Sequence, residues 1–173
     1  MATSRQKVFP DSTVDAAQLR RTFGCFPSGV TAVCAIADST PVGMAVSSFT
    51  SVSLEPPLVS VCIAHGSSTW PRLRNLPRIG VSVLGEGHGR AARQLAARDT
   101  DRFADLGYTT TPEGALLLHG SAAWLDCSLY AELPAGDHLI ALLEIHGHLA
   151  VPDTEPLVFH GSRFRKLAAD SDR

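Results

Sequence analysis

Between Gly43 and Cys62 the chain reads GMAVSSFTSVSLEPPLVSVC, with five hydroxyls (Ser47, Ser48, Thr50, Ser51, Ser53) set among two apolar side chains, Phe49 and Val52. Taken singly, such residues make solvated Ser/Thr turns. Taken together they suit a ligand cradle. N–H groups and hydroxyls hold a phosphate or the polar edge of a planar ring, and neighbouring apolar atoms cover its face. Downstream, Ser67-Ser68-Thr69 can cap a short helix, and free N–H groups at a helix start attract phosphate. Arg102 stands in Asp101-Arg102-Phe103. Its guanidinium suits a phosphate or a ring carbonyl, and its plainer alternative is a surface pair with Asp99 or Asp105. His138, His146 and His148 fall on one face of a strand, with Glu144 between them. The last two could chelate a metal, pair across the sheet or meet solvent. No third or fourth ligand motif accompanies them, so no metal site is expected.

Rival chemistries lack their motifs. There is no Ser-His-Asp order, no GxSxG elbow and no Walker A loop. Gly85-Glu86-Gly87-His88-Gly89-Arg90 nearly fits a dinucleotide fingerprint. Arg90 stands where Gly or Ala is needed for close helix–strand packing, and no βαβ alternation follows.

These residues need elements to position them. Asp11-Ser12-Thr13 offers caps for a helix over about Val14–Cys25, with Leu19, Phe23 and Phe26 as a core-facing stripe. Val30–Ala37 and Val42–Val46 read as an antiparallel hairpin. Glu55-Pro56-Pro57 forbids helix before the Leu58–Ala64 strand. Arg78–Leu84 is a further strand, and Gly89–Arg98 is a helix with Ala92, Leu95 and Ala96 inward. Tyr108–Gly114 reads as a polar loop. Ser121–Leu133 alternates strictly, with Ala123, Leu125, Cys127, Leu129, Ala131 and Leu133 facing one way. Pro134-Ala135-Gly136-Asp137 then turns the chain into His138–Val151, and Pro156–His160 closes the series. Many antiparallel strands and few helices argue for a closed barrel.

The 173 residues make one domain, expected over 14–167 between a flexible arm (1–13) and a tail (168–173). A net charge of −2 gives no basic surface for nucleic acid. No apolar run approaches a membrane span, and the N-terminus lacks the apolar core of a secretory signal. Cys25, Cys34, Cys62 and Cys127 show no metal-clip spacing and read as small buried hydrophobes in a reducing, cytoplasmic setting.

The Gly43–Val59 stretch, Gly-x-x-x-x-Ser-Phe-Thr-Ser-Val-Ser-Leu-x-Pro-Pro-Leu-Val, resembles the signature of the flavin reductase-like family. The likeness continues in register through Leu19–Thr31, Ser67-Ser68-Thr69, Asp101-Arg102-Phe103, Gly136-Asp137-His138 and Pro156–Leu167, covering roughly residues 17–167. It implies a mainly β chain with a few helices: a split β-barrel of Greek-key antiparallel strands, assembled as a homodimer with flavin near the subunit interface. It also implies an NAD(P)H-dependent flavin reductase. Such an enzyme reduces FAD, or FMN, with NADH, or NADPH, and passes the reduced flavin to a partner monooxygenase. The ring would lie against Ala45, Val46, Ser47, Ser48, Ser51 and Val52, with Ser28, Gly29 and Val30 along one edge. Its phosphate would lie near Ser47, Ser48, Ser67, Thr69 and Arg102, with Phe103 approaching the flavin. His138 would lie by the nicotinamide, orienting its carboxamide or helping to protonate reduced flavin. Relatives commonly read Thr-Ala-Asn where this chain has Ala45-Val46-Ser47, which exchanges an amide donor for a hydroxyl. FAD is expected over FMN, because relatives serving aromatic or antibiotic-pathway oxygenases often use it. Two alternatives share the fold. One is a tightly flavin-bound electron carrier or sensor without NADH turnover. The other acts directly on an organic substrate, as pyridoxamine-phosphate-type oxidases do, and would need a basic pocket; the only such cluster, Arg163, Arg165 and Lys166, reads as a solvated strand end.

Overall fold

The computed structural model describes residues 15–98 and 100–168. In chain order the elements are α1 (Ala16–Phe23), β1 (Ser28–Gly29), β2 (Thr31–Ala37), β3 (Thr40–Val46), β4 (Thr50–Leu54) and β5 (Pro57–Ala64). Then come α2 (Trp70–Leu73), β6 (Ile79–Val83), a 3₁₀ turn (Glu86–His88), α3 (Gly89–Ala96), β7 (Tyr108–Thr110) and β8 (Leu116–Leu118). Two long strands, β9 (Ala123–Ala135) and β10 (His138–Ala150), precede the short β11 (Val158–His160) and β12 (Arg163–Arg165). Among the described residues, no helix is long and apolar enough to cross a membrane.

Seven strands form one antiparallel sheet in the order β3-β2-β6-β9-β10-β5-β4. β1, β11 and β12 form a second small sheet, and β7 pairs with β8, so Tyr108–Thr110 is strand rather than loop. β2, next to the β3 edge, lies between two apolar cores. Val33, Ala35 and Ala37 pack on one side, with Val61, Ile63, Trp70, Leu73 and Leu143. Ala32 and Cys34 pack on the other, with Leu84, Leu95, Phe103, Leu116 and Leu157. Burial on both faces explains why β2 is a continuous apolar run instead of an alternating one.

The main sheet is not a closed barrel. It ends on β3 and β4, and those edges are joined by the Ser47–Phe49 linker in place of a ladder. β4 runs out where Thr50 pairs with Ser60, which leaves the next outward-facing backbone groups of β5 without a strand partner. Ser48 supplies one. Cys62 N–H donates to Ser48 Oγ at 2.8 Å, and Ser48 Oγ donates to Cys62 O at 3.2 Å. A hydroxyl thus stands in for a ladder residue at the split.

Several local expectations change. The Asp11–Thr13 caps and the 1–13 arm lie outside the described residues. Asp15 caps α1, its carboxylate accepting from Gln18 N–H at 3.1 Å. The α1 stripe does not reach a core: no residue of the helix is buried, and Phe23 and Phe26 are 67% and 77% exposed. α3 buries Ala91, Ala92 and Leu95 but exposes Ala96, because the helix ends there before completing its last turn. The β9–β10 turn is two residues, not four. Ala135 pairs with His138, and Gly136 takes the positive φ of 67° that the turn needs. A register shift at Tyr130 breaks the strict alternation of β9. Leu133 consequently turns out to 48% exposure, and Glu132 faces α2. Only Cys34 and Cys127 are buried, and burial pushes both thiols up to about 12; Cys25 and Cys62 are exposed.

His88 clasps the loop after β6. Gly85 N–H donates to His88 Nδ1 at 3.1 Å, and His88 Nε2–H donates to His119 O at 2.9 Å. Both nitrogens are used in the neutral ring, so a second proton would break the Gly85 bond. Burial lowers the His88 pKa below its ordinary 6.5, outweighing the opposing effect of the His119 carbonyl. A lowered histidine gives stability that is complete above the unfolded pKa near 6.5 and is lost as pH falls through the lower folded value. Thermal melts from pH 7.5 to 5 are therefore expected to show a falling Tm, and His88→Gln should flatten that fall.

Candidate functional site

The split between β3 and β4 gathers six of the predicted residues, Ala45, Val46, Ser47, Ser48, Ser67 and His138. A cavity of about 360 Å³ is lined by Met44, Ala45, Val46, Ser47 and Ser48 on one wall and by Cys62, Ile63, Ala64, Ser67 and His138 on the others. The β2–β3 hairpin carries the first wall, and the Ser48–Cys62 clasp holds its end against β5. Pairing of His138 with Ala64 across β10 and β5 brings the histidine to the opposite side. His138 Nδ1–H donates to the Asp137 carboxylate at 2.6 Å. That bond, and then the charge of the imidazole, lowers the Asp137 pKa. His65 braces the same turn, its backbone N–H donating to Asp137 O at 3.0 Å and its Nε2–H to Gly136 O at 3.1 Å.

A second cavity of about 320 Å³ adjoins the first along β3, lined by Pro41, Val42, Gly43, Ser68, Thr69, Arg72, Thr100, Asp101, Arg102 and Phe103. Arg102 is its strut. Nε–H donates to Ala97 O at 2.7 Å, and Nη1–H donates to Gly43 O at 3.1 Å and to Thr69 Oγ1 at 2.6 Å. One guanidinium therefore ties the end of α3, the β3 edge and the start of α2 together. The surface-pair alternative for Arg102 does not hold with Asp105, which pairs with Arg90; Asp99 lies outside the described residues. α2 has only four residues, so a phosphate bound here would have to rely on hydroxyls and arginines, not on a helix dipole. Ser67 Oγ accepts from Trp70 N–H at 3.2 Å, and its own proton points to Met44 sulfur at 3.8 Å. A thioether is a weak acceptor, so that proton is easily redirected to a phosphate oxygen. Glu132 holds α2 in place, accepting from Trp70 Nε1–H at 2.5 Å and from Arg74.

A third, larger cleft of about 740 Å³ lies beyond Ser47 and Ser48, bordered by α1, Ser28, Gly29 and the β11–β12 turn. The structure thus gathers Ala45, Val46, Ser47, Ser48, Ser67 and His138 around one cavity, Thr69, Arg102 and Phe103 around a second, and Ser28 and Gly29 around a third. Val30 is placed elsewhere: it is 4% exposed, packs in the core and only offers its carbonyl to Leu84 N–H. Ser51 and Val52 lie exposed on edge strand β4 and line none of these cavities. Sequence reasoning missed Met44, Cys62, Arg72 and Asp137. Only Asp137 carried a signal, its place beside His138 in the turn. Arg72 needed the helical spacing from Thr69, and Cys62 needed the strand's outward phase. His146 accepts or donates one bond with Ser128 Oγ at 2.7 Å, and among the described residues no group of three His, Cys, Asp or Glu could hold a metal.

A flavin reductase-like domain matches residues 23–168. An NADH-dependent FAD reductase of Streptomyces globisporus is 42% identical over 163 residues, covering 91% of this chain and 89% of that protein. The reductase subunit of a flavin-dependent monooxygenase from Rhodococcus jostii is 34% identical over 157 residues, covering 91% of this chain and 80% of that one. The structure of an NADH:FAD oxidoreductase of Streptomyces globisporus, in complex with NAD and FAD fragments, superposes with a TM-score of 0.85 at 43% identity, over 91% of this chain and 96% of the other. An open antiparallel split barrel, hydroxyls at the split and a domain match spanning nearly all of that fold agree, and the chain belongs to the flavin reductase-like family.

Proposed function

We propose that this protein reduces free FAD with NADH and releases the reduced flavin to a separate monooxygenase. The observation that carries this reading is the convergence of the Ala45–Ser48 wall, Ser67 and His138 on one cavity, with Thr69 and Arg102 on the next. The residues fit a flavin. A cavity with backbone and hydroxyl groups beside Met44 on one wall and apolar atoms of Ile63 and Ala64 on the others suits a planar ring with a polar edge. An adjoining cavity with two arginines and a buried threonine suits its phosphate. When bound, the flavin supplies the two-electron acceptor for the nicotinamide. The protein supplies placement. Ser48 pins the wall to β5, Arg102 pins the second cavity, and Asp137 fixes the His138 ring with Nδ1 protonated, which leaves Nε2 free to accept a hydrogen bond.

The test is NADH oxidation with catalytic protein and a titration of free FAD, then FMN. Saturable, FAD-dependent turnover is expected. Tight flavin binding without turnover would replace this reading with an electron carrier or sensor. His138→Ala should raise KM for NADH about tenfold while leaving flavin affinity within about threefold, as loss of a hydrogen-bonding group worth about 1–1.5 kcal/mol requires.

The same reading includes a homodimer, supported by exposed apolar residues on the main sheet: Val52 (49%), Leu54 (95%) and Leu133 (48%). These side chains offer apolar surface that a second copy of the chain would cover. Sedimentation of Leu54→Glu/Leu133→Glu is expected to give monomers where the parent gives dimers. Four free cysteines support a cytoplasmic, reducing setting.

A further inference from the structure

α2 is a single turn, Trp70–Leu73, yet two groups that line the second cavity hang on it: Thr69 just before it and Arg72 within it. Its apolar anchors are Trp70 and Leu73, 2% and 0% exposed. Apolar burial has no direction, so a one-turn helix held only that way can roll or slide. Glu132 removes that freedom. Its carboxylate accepts from Trp70 Nε1–H at 2.5 Å at the start of the turn, and from the Arg74 guanidinium just beyond its end. Residues four apart share one helix face, and a residue two further on stands about 200° round the axis. A grip on Trp70 and Arg74 therefore turns Arg72 to the opposite face, toward the second cavity. The Trp70 end of the grip also fixes the adjacent Thr69, whose Oγ1 accepts from Arg102.

Glu132 reaches α2 because Tyr130 is an extra residue in β9. Ala131 pairs with Leu142 and Leu129 with Leu143, so the strand changes phase between them. Bulges of this kind re-aim side chains beside functional sites. The Glu132 side chain keeps 17% exposure, so water weakens its two bonds little. It lines neither the ring cavity nor the second one. We propose that Glu132 is a positioning residue for the flavin's phosphate, acting through α2 on Thr69 and Arg72 without touching the ligand. The proposal rests on the flavin reading of the two cavities. It gives the β9–β10 hairpin two tasks, with His138 at the ring cavity and Glu132 behind the phosphate.

The experiment titrates the full chain with FAD, FMN and riboflavin, which carries the ring without a phosphate, and follows the change in flavin fluorescence. Glu132→Gln keeps the shape but must set an NH₂ against Trp70 Nε1–H or the Arg74 guanidinium, donor against donor. It is expected to weaken FAD and FMN about tenfold and riboflavin by less than about twofold, as loss of one charge-assisted bond behind the phosphate requires. Trp70→Phe keeps a buried ring and loses the N–H. It should show the same selectivity at about threefold, and it carries the test if the glutamine variant does not fold. Equal weakening of all three flavins would make Glu132 a general support of the fold and overturn the proposal. Unchanged affinity for FAD and FMN in the folded variants would overturn it too. A parent that binds riboflavin as tightly as FMN would leave no phosphate contribution to position, which overturns the proposal and spares the ring cavity. A parent that binds no flavin would sink the flavin reading itself, and the proposal with it.

Discussion

Arg102→Ala is expected to weaken FAD binding by about ten- to a hundredfold and to lower folding stability by about 2–3 kcal/mol, as loss of charged hydrogen bonds predicts. The reason lies in what the guanidinium touches. It bonds Ala97 O, Gly43 O and Thr69 Oγ1, three points from separate elements that otherwise meet only through side chains. Each bond to a charged donor is worth more than a neutral one, and partial exposure of the side chain reduces the sum. Thr69 is 6% exposed, so losing its donor leaves a buried oxygen to find another partner. Arg102→Lys keeps the charge but cannot span three acceptors from a fixed fork. Flavin fluorescence titration and urea unfolding separate the two roles. If lysine restores both affinity and stability, charge alone matters and the strut account is wrong. If affinity falls while stability holds, Arg102 acts chiefly as a direct phosphate ligand. Joint loss, with little rescue by lysine, is the expected result.

Gly80→Ala is expected to be the most damaging small substitution in the chain, costing about 3 kcal/mol or more and about 6–12 °C in Tm. Gly80 sits in β6 between Cys34 of β2 and Asp126 of β9, so it cannot shift sideways without breaking two ladders. A Cβ there would meet Leu116 O at 2.2 Å and Leu116 N at 2.8 Å. Those are backbone atoms of β8, packed over the sheet, and they cannot rotate aside as a side chain would. Gly87→Ala is the control, since a Cβ at that position meets nothing within 4 Å. Thermal melts of the pair should differ by most of the predicted shift. Near-equal melts would mean that β8 yields easily and that its packing on β6 is loose.

The elements that were legible are those written in short-range pattern. The β2–β3 hairpin, the antiparallel β9–β10 pair, the α3 face at Ala92 and Leu95, and the hydroxyl cluster at Ser47–Ser53 follow from periodicity, turn residues and composition. The set of candidate ligand groups was legible for the same reason: a hydroxyl, a guanidinium or an imidazole declares its chemistry by its type. What tertiary structure decided is the partner of each group. Ser48 became the clasp of the split because β4 stops two residues short of Cys62, which lies fourteen residues away in sequence. Arg102 became a strut because Gly43 and Thr69 come to it across separations of 59 and 33 residues. Glu132 took Leu133's expected inward place because an extra residue at Tyr130 reversed the phase of β9, and a two-residue period carries no record of where such a bulge will fall. The same holds for α1. Its stripe of Leu19, Phe23 and Phe26 shows that a face exists, and only the packed chain shows that no core of its own lies beneath it. Local sequence sets which conformations and bonds are cheap; the long-range contacts that bury surface choose among them.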